Sequence, residues 1–163
     1  MIIRRFIWAC ILLILLLHTT ACQQNEQIVK YDATVLRVID GDTFEAKIND
    51  DVERVRLILV DTPETVHPKK KVEPYGVEAS NYTKRRLKNK DVRLELDKET
   101  RDKYGRLLAY VYVDDREVSF NEELLIKGYA RLAIYPPNTR YVKEYAESEK
   151  KAKIERIGLW KVD

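Results

Sequence analysis

Between Ala33 and Pro63 the chain alternates short β-branched, apolar runs with turns rich in Asp and Asn, a rhythm that makes this stretch a meander of strands. Ala33 to Ile39 is the first run, and Asp40-Gly41-Asp42 supplies the turn after it. Thr43 to Ile48 alternates apolar and polar residues, and Asn49-Asp50-Asp51 turns the chain again. Val52 to Val60 reads as a third strand, stopped by Asp61-Thr62-Pro63.

The pattern then changes. His67 to Pro74, with Lys69-Lys70-Lys71 and two prolines, reads as an exposed loop. Those lysines are either a solvated surface or a means of steering an anionic partner. Tyr75 to Lys88 carries Val77, Ala79, Tyr82, Thr83 and Leu87 near helical spacing. Val92–Leu96 and Leu107–Val113 are two further strands, with a polar loop around Arg101-Asp102-Lys103-Tyr104-Gly105-Arg106 between them. Ser119 to Lys127 is a short helix with Gly128 as its C-terminal stop. After Pro136-Pro137, Thr139 is expected to cap a last helix from Tyr141 to Arg156, before Gly158. Five strands and three helices in this order suit a small closed barrel of the OB type with helices packed against it. No repeat or composition break marks a second domain, so residues 31–163 are expected to form one.

Scarcity constrains the chemistry. The 163 residues include two Cys, Cys10 and Cys22, and two His, His18 and His67. Three of these four lie within the first 22 positions, which leaves the body one His and no Cys. A structural zinc site, a Cys–His nucleophile pair or a two-His metal centre is therefore not expected there. Catalysis in the body must rest on carboxylates, Arg, Lys, Tyr and a hard, oxygen-liking metal. His67 is expected to have no catalytic role.

The N-terminus reads as an address. Arg4 and Arg5 precede an apolar run from Phe6 to Leu17, followed by Thr19-Thr20-Ala21-Cys22. A basic region, a short apolar core and a small-residue junction make a secretory signal over residues 1–21. The run is shorter than the roughly 20 residues a spanning helix needs. Ala21-Cys22 resembles a bacterial lipobox, which would make Cys22 the lipidated first residue of the mature chain and residues 22–30 a tether. An ordinary signal cleavage would release a secreted protein from the same boundary. Both readings place the protein outside the cytoplasmic membrane, attached to it only through a lipidated Cys22. Without Arg4 and Arg5 the 30 basic residues fall to 28 against 27 acids, so a formal charge of +3 becomes +1. Bulk charge is thus no argument for a nucleic-acid partner.

Arrangement is a better one. Asp40 and Asp42 flank Gly41, and Asp61 ends the third strand with Glu64 three residues on. Two carboxylate pairs at neighbouring strand ends suit Ca²⁺ or Mg²⁺, although either turn alone is ordinary turn chemistry. Arg56 lies in the otherwise apolar run Val55–Val60 and needs an anion, either one of these acids or a phosphate matched by its planar fork. Arg106 is a second fork. Acids, a metal and two forks together describe phosphoryl transfer, with Glu64 to activate water.

These residues carry a resemblance. Ile39–Thr43, Arg56–Thr65, His67–Lys70, Tyr75–Ser80 and Asp102–Arg106 are similar, in order, to the thermonuclease family of staphylococcal nuclease homologues, and the likeness runs from Tyr31 to Trp160. It implies a five-stranded OB barrel with three helices and a Ca²⁺-dependent phosphodiesterase acting on DNA and RNA, leaving 3′-phosphates; nothing in the sequence indicates an oligomer, so a monomer is expected. By position it implies one Ca²⁺ held by Asp42, Asp61 and the Thr62 carbonyl with Asp40 nearby, Glu64 as general base, and Arg56 and Arg106 on the scissile phosphate. Lys103 and Tyr104 match residues that hold a terminal phosphate. Tyr135 aligns with one of two family tyrosines beside the base, and the other is absent. A catalytically inactive OB module that binds nucleic acid or protein is the alternative.

Overall fold

The computed structural model describes residues 28–65 and 73–161. The expected signal, Cys22, most of the tether and the lysines of 69–71 lie outside these residues. The chain runs β1 (Lys30–Val38), β2 (Thr43–Ile48), β3 (Asp51–Leu57), β4 (Val60–Asp61), α1 (Gly76–Leu87), β5 (Asp91–Arg101), β6 (Leu107–Val113), α2 (Phe120–Ile126), β7 (Arg131–Leu132) and α3 (Val142–Ile154). A 3₁₀ turn, Gly158–Lys161, follows.

Five of the strands close into a barrel in the order β1-β2-β3-β6-β5. All neighbours are antiparallel except β3 and β6, which pair in parallel through Val55–Leu107, Arg56–Leu108 and Leu57–Ala109. Closure removes the free sheet edge. Alternation along the strands sends Val35, Phe44, Ala46, Val55, Leu94 and Val111 inward, all fully buried. The expected five-stranded OB-type barrel with three helices is the observed fold.

The third strand departs from expectation. It ends at Leu57, and Leu59 adopts a left-handed φ of 62° that reverses the chain. Val60 and Asp61 then leave the barrel and pair with Leu132 and Arg131 in a separate two-stranded sheet. Apolar periodicity misses this break because Ile58, Leu59 and Val60 are all buried on either side of it. Buried Asn121 stabilises the reversal: its amide nitrogen donates to Ile58 O (2.9 Å) and Ala109 O (3.1 Å), and its oxygen accepts from Val111 N (3.0 Å). A buried amide placed this way gives Ile58 O and Val111 N a partner where β3 stops, and shares Ala109 O with the Ile58 N–H.

The helices match closely, with one correction at a cap. Ser119 caps α2, accepting from Glu122 N at 3.2 Å, and Gly128 follows the helix at φ 64°. Thr139 does not cap α3. The N-cap is Tyr141, without a side-chain bond, and the Thr139 hydroxyl points back to Pro137 O instead. α2 packs against α3, whose buried Tyr145 and Ala152 face the body of the protein.

Candidate active site

One cleft of about 620 Å³ opens where the β1–β2 turn, the chain after β3, and the β5–β6 loop meet. Asp40, Asp42, Asp61, Thr62 and Glu64 line it from the first two of these segments, and Arg56 from the end of β3 itself. Lys103, Tyr104 and Arg106 line it from the third, and Tyr135 from the chain after β7. All ten positions singled out in the described sequence therefore face one space.

Asp42 organises the acidic side. Its side chain is buried, and Thr43 donates its hydroxyl to Oδ1 at 2.9 Å. Oδ2 accepts the backbone N–H of Thr62 at 3.0 Å and its hydroxyl at 3.2 Å. The turn itself is pinned by Asp42 N donating to Asp40 Oδ1 (3.1 Å), and from behind by Thr83 of α1 donating to Gly41 O (2.7 Å). Gly41 is required by close approach: a Cβ there would lie 2.6 Å from Thr62 Oγ1.

Arg56 finds its anions in this cluster. Its Nη2 is 3.0 Å from both Asp42 Oδ2 and Asp61 Oδ1, and Nη1 donates to Val60 O at 2.8 Å. The guanidinium is 13% exposed, Asp42 8% and Asp61 61%, so the pair is anchored inside while Asp61 faces the open cleft. Both of its acidic partners line the cleft, which puts the fork on the site rather than in the core.

One arginine does not neutralise three acids. Burial, and then the charge of Asp42, push the Asp40 carboxyl up to about 6. The donor set is made of oxygens alone, the kind a hard cation takes. Among the described residues no three acids form a ready cage, because each carboxylate is turned onto a protein donor: Asp42 onto Thr43, Thr62 and Arg56, Asp61 onto Arg56, and Asp40 onto the Asp42 N–H. The residues fit the cation in chemistry and in excess negative charge.

The β5–β6 loop carries the second fork. Asp102, for which the sequence suggested no role, orders it: Oδ1 accepts from Tyr104 N (2.9 Å) and Arg106 N (3.0 Å), and Oδ2 accepts from Arg106 Nε (2.7 Å). Burial opposes the charge on Asp102, but these bonds outweigh it and hold the carboxyl below its usual value. Gly105, at φ 79°, makes the turn. Tyr104 is 72% exposed, with Lys103 Nζ 5.1 Å and the Arg106 guanidinium 5.3 Å from its ring centre. The available signal was the spacing of Asp102 four residues before Arg106 across a glycine. Asn138 had no local signal. It is buried, lines the cleft, and binds both the N–H and the carbonyl of Glu99 at 2.8 Å, holding the exposed Tyr135 turn against β5.

Residues 54–162 match the family described as staphylococcal nuclease homologue. The chain belongs to this family. It is 50% identical over 126 residues to a thermonuclease of Staphylococcus intermedius, covering 77% of this chain and 74% of that protein. A thermonuclease of Staphylococcus hyicus is 46% identical over 136 residues, covering 83% and 77%. The SPbeta prophage-derived endonuclease YokF of Bacillus subtilis (strain 168) is 47% identical over 131 residues, 79% of this chain but 44% of that one. The chain thus matches less than half the length of the prophage endonuclease. As in any staphylococcal nuclease homologue, the fold frames the site, but chemistry must be argued from the residues that line it.

Proposed function

We propose that the protein is a calcium-dependent nuclease that hydrolyses phosphodiester bonds of DNA and RNA and works outside the cytoplasmic membrane. The observation that carries this reading is the single cleft shared by two arginine forks, Arg56 and Arg106, and by the carboxylates of Asp40, Asp42, Asp61 and Glu64. Membership of the staphylococcal nuclease homologues, and relatives described as thermonucleases and endonucleases, support the same chemistry.

Asp42, Asp61 and the Thr62 carbonyl would hold one Ca²⁺, with Asp40 beside them. Bound there, the cation supplies positive charge to the phosphoryl oxygens. Arg56 and Arg106 grip those oxygens and stabilise the charge that grows on them during attack. Glu64 takes a proton from the attacking water, whose oxygen bonds to phosphorus as the bond from phosphorus to the 5′ oxygen breaks, and the departing 5′ oxygen takes a proton from solvent water. The products are a 3′-phosphate and a 5′-hydroxyl. Lys103 and Tyr104 hold a terminal phosphate, and Tyr135 offers a face for stacking a base. The enzyme is read as a monomer. Cleavage before Cys22 and its lipidation would tether it to the membrane.

Purified residues 22–163 should degrade DNA with Ca²⁺ and stop when EGTA is added, with 3′-phosphate ends on the products. Full activity in excess EGTA would remove the metal assignment. Retention of DNA without cleavage would instead identify a binding module. Glu64→Gln should lower kcat by about 10²–10⁴-fold, the range for a lost general base, without changing the thermal midpoint. Incorporation of labelled fatty acid into wild type but not Cys22→Ala tests the anchor.

A further inference from the structure

The tip of the β5–β6 loop has well-fixed internal geometry but few ties to the barrel. Within it, Asp102 N donates to Arg106 O (3.1 Å) and Gly105 N to Asp102 O (2.9 Å), and Asp102 makes the side-chain bonds described above. These bonds set the shape of the tip. They do not set where the tip stands relative to the acidic wall of the cleft. At its base, Arg101 closes β5 opposite Leu107, and Leu107 pairs with Val55 of β3.

One side chain extends that anchorage outward. Arg101 Nη1 and Nη2 meet the two carboxylate oxygens of Glu53 at 2.9 and 2.6 Å, and Nη1 also donates to Gly105 O at 2.9 Å. Glu53 is on β3, two residues before Val55 and three before Arg56. The Arg101 fork holds the Glu53 carboxyl below its usual 4.5, so the pair is charged at neutral pH. A single guanidinium therefore joins the strand bearing one phosphate fork to the carbonyl of the residue preceding the other.

We propose that the Glu53–Arg101 ion pair is a positioning clamp that fixes the Lys103–Tyr104 tip over the cleft and so tunes substrate affinity. The inference rests on reading the cleft as a phosphodiesterase site. Neither residue lines the cleft. Both act through Gly105. Surface ion pairs contribute little when geometry is loose, but a two-point Arg–carboxylate contact with a third bond to the backbone is the arrangement in which they matter. Arg106 immediately precedes β6, whose first residue Leu107 pairs with Val55 of β3, so the barrel itself holds its backbone. The clamp is thus expected to act on binding at the tip more than on the chemical step.

The test measures Ca²⁺-dependent hydrolysis of a defined DNA oligonucleotide by wild type, Arg101→Ala, Glu53→Ala and the double variant. Peptide-level hydrogen exchange across residues 101–107 is followed in the same proteins. Each single variant should raise KM about threefold to fivefold and leave kcat within about twofold, and the double should be no worse than the larger single. Arg101→Lys, which keeps the charge but cannot make all three bonds, should stay close to Arg101→Ala. Exchange across the loop should quicken in every variant while the thermal midpoint holds. Lys153→Ala, which breaks the exposed pair with Glu149 on α3, serves as the control and should leave KM unchanged. Unchanged KM in both singles, additive effects in the double, or wild-type KM in Arg101→Lys would overturn the proposal. If the wild type hydrolyses nothing, the nuclease reading falls, and exchange alone decides the clamp: unaltered exchange in Arg101→Ala overturns it.

Discussion

Asp42 and Thr62, twenty residues apart, are joined by two hydrogen bonds from the Thr62 N–H and hydroxyl to one carboxylate oxygen. This contact ties the turn after β1 to the segment after β4, and so brings both halves of the acidic wall together. Replacing Asp42 by Ala strands those two donors in a buried setting. The loss should be about 1–3 kcal/mol in urea unfolding, together with loss of nuclease activity. Unchanged stability would show that the contact does not organise the wall.

Gly41 faces the same threonine. Its replacement by Ala would set a Cβ 2.6–2.8 Å from three side-chain atoms of Thr62, so that Thr62 must move away from Asp42. Overpacking of this kind costs about 1–3 kcal/mol. A lowered urea midpoint and a lowered Ca²⁺ affinity, read by calorimetry, are the expected outcomes.

Arg56→Lys is predicted to fail despite keeping the charge. The guanidinium uses separate nitrogens for Val60 O and for the two acids, and one ammonium cannot reproduce that fork. Steady-state kinetics should show kcat reduced by about 10² or more, the usual scale for a lost group that stabilises transition-state charge. Activity near wild type would mean that charge alone suffices there.

Acid sensitivity should arise partly at the α1–α2 contact. Glu123 of α2 accepts from Tyr82 and from Arg86 Nε at 3.0 Å and Nη2 at 3.2 Å, all from α1. Burial raises the Glu123 carboxyl, but the Arg86 and Tyr82 bonds outweigh it and hold it below 4.5. A depressed folded value means that this stability is fully present above the unfolded value and is lost as pH falls through the folded one. The stability gap between wild type and Glu123→Gln should be constant near neutrality and narrow below pH 4.5. A gap independent of pH would exclude Glu123 as the titrating group.

Much of the site was legible because its residues are clustered along the chain. Asp40 and Asp42 share one turn, and Arg56, Asp61 and Glu64 fall within nine consecutive positions, so short-range pattern and chemistry were enough to group them. Asn138 and Glu53 were not legible. Asn138 acts on Glu99, 39 positions away, and Glu53 on Arg101, 48 away. Nothing in the local sequence distinguishes them from ordinary surface residues.

The sequence by itself determined the strand meander, the three helices and the chemical range of the site. Those features depend on periodicity, turn residues and the near absence of Cys and His from the body. Tertiary structure decided where β3 breaks, how β4 finds β7, which acids share Arg56, and what holds the Tyr104 tip in place. Each of these is a contact between separate elements of the fold, set by barrel closure and by the need of buried polar groups for partners, and local pattern records neither.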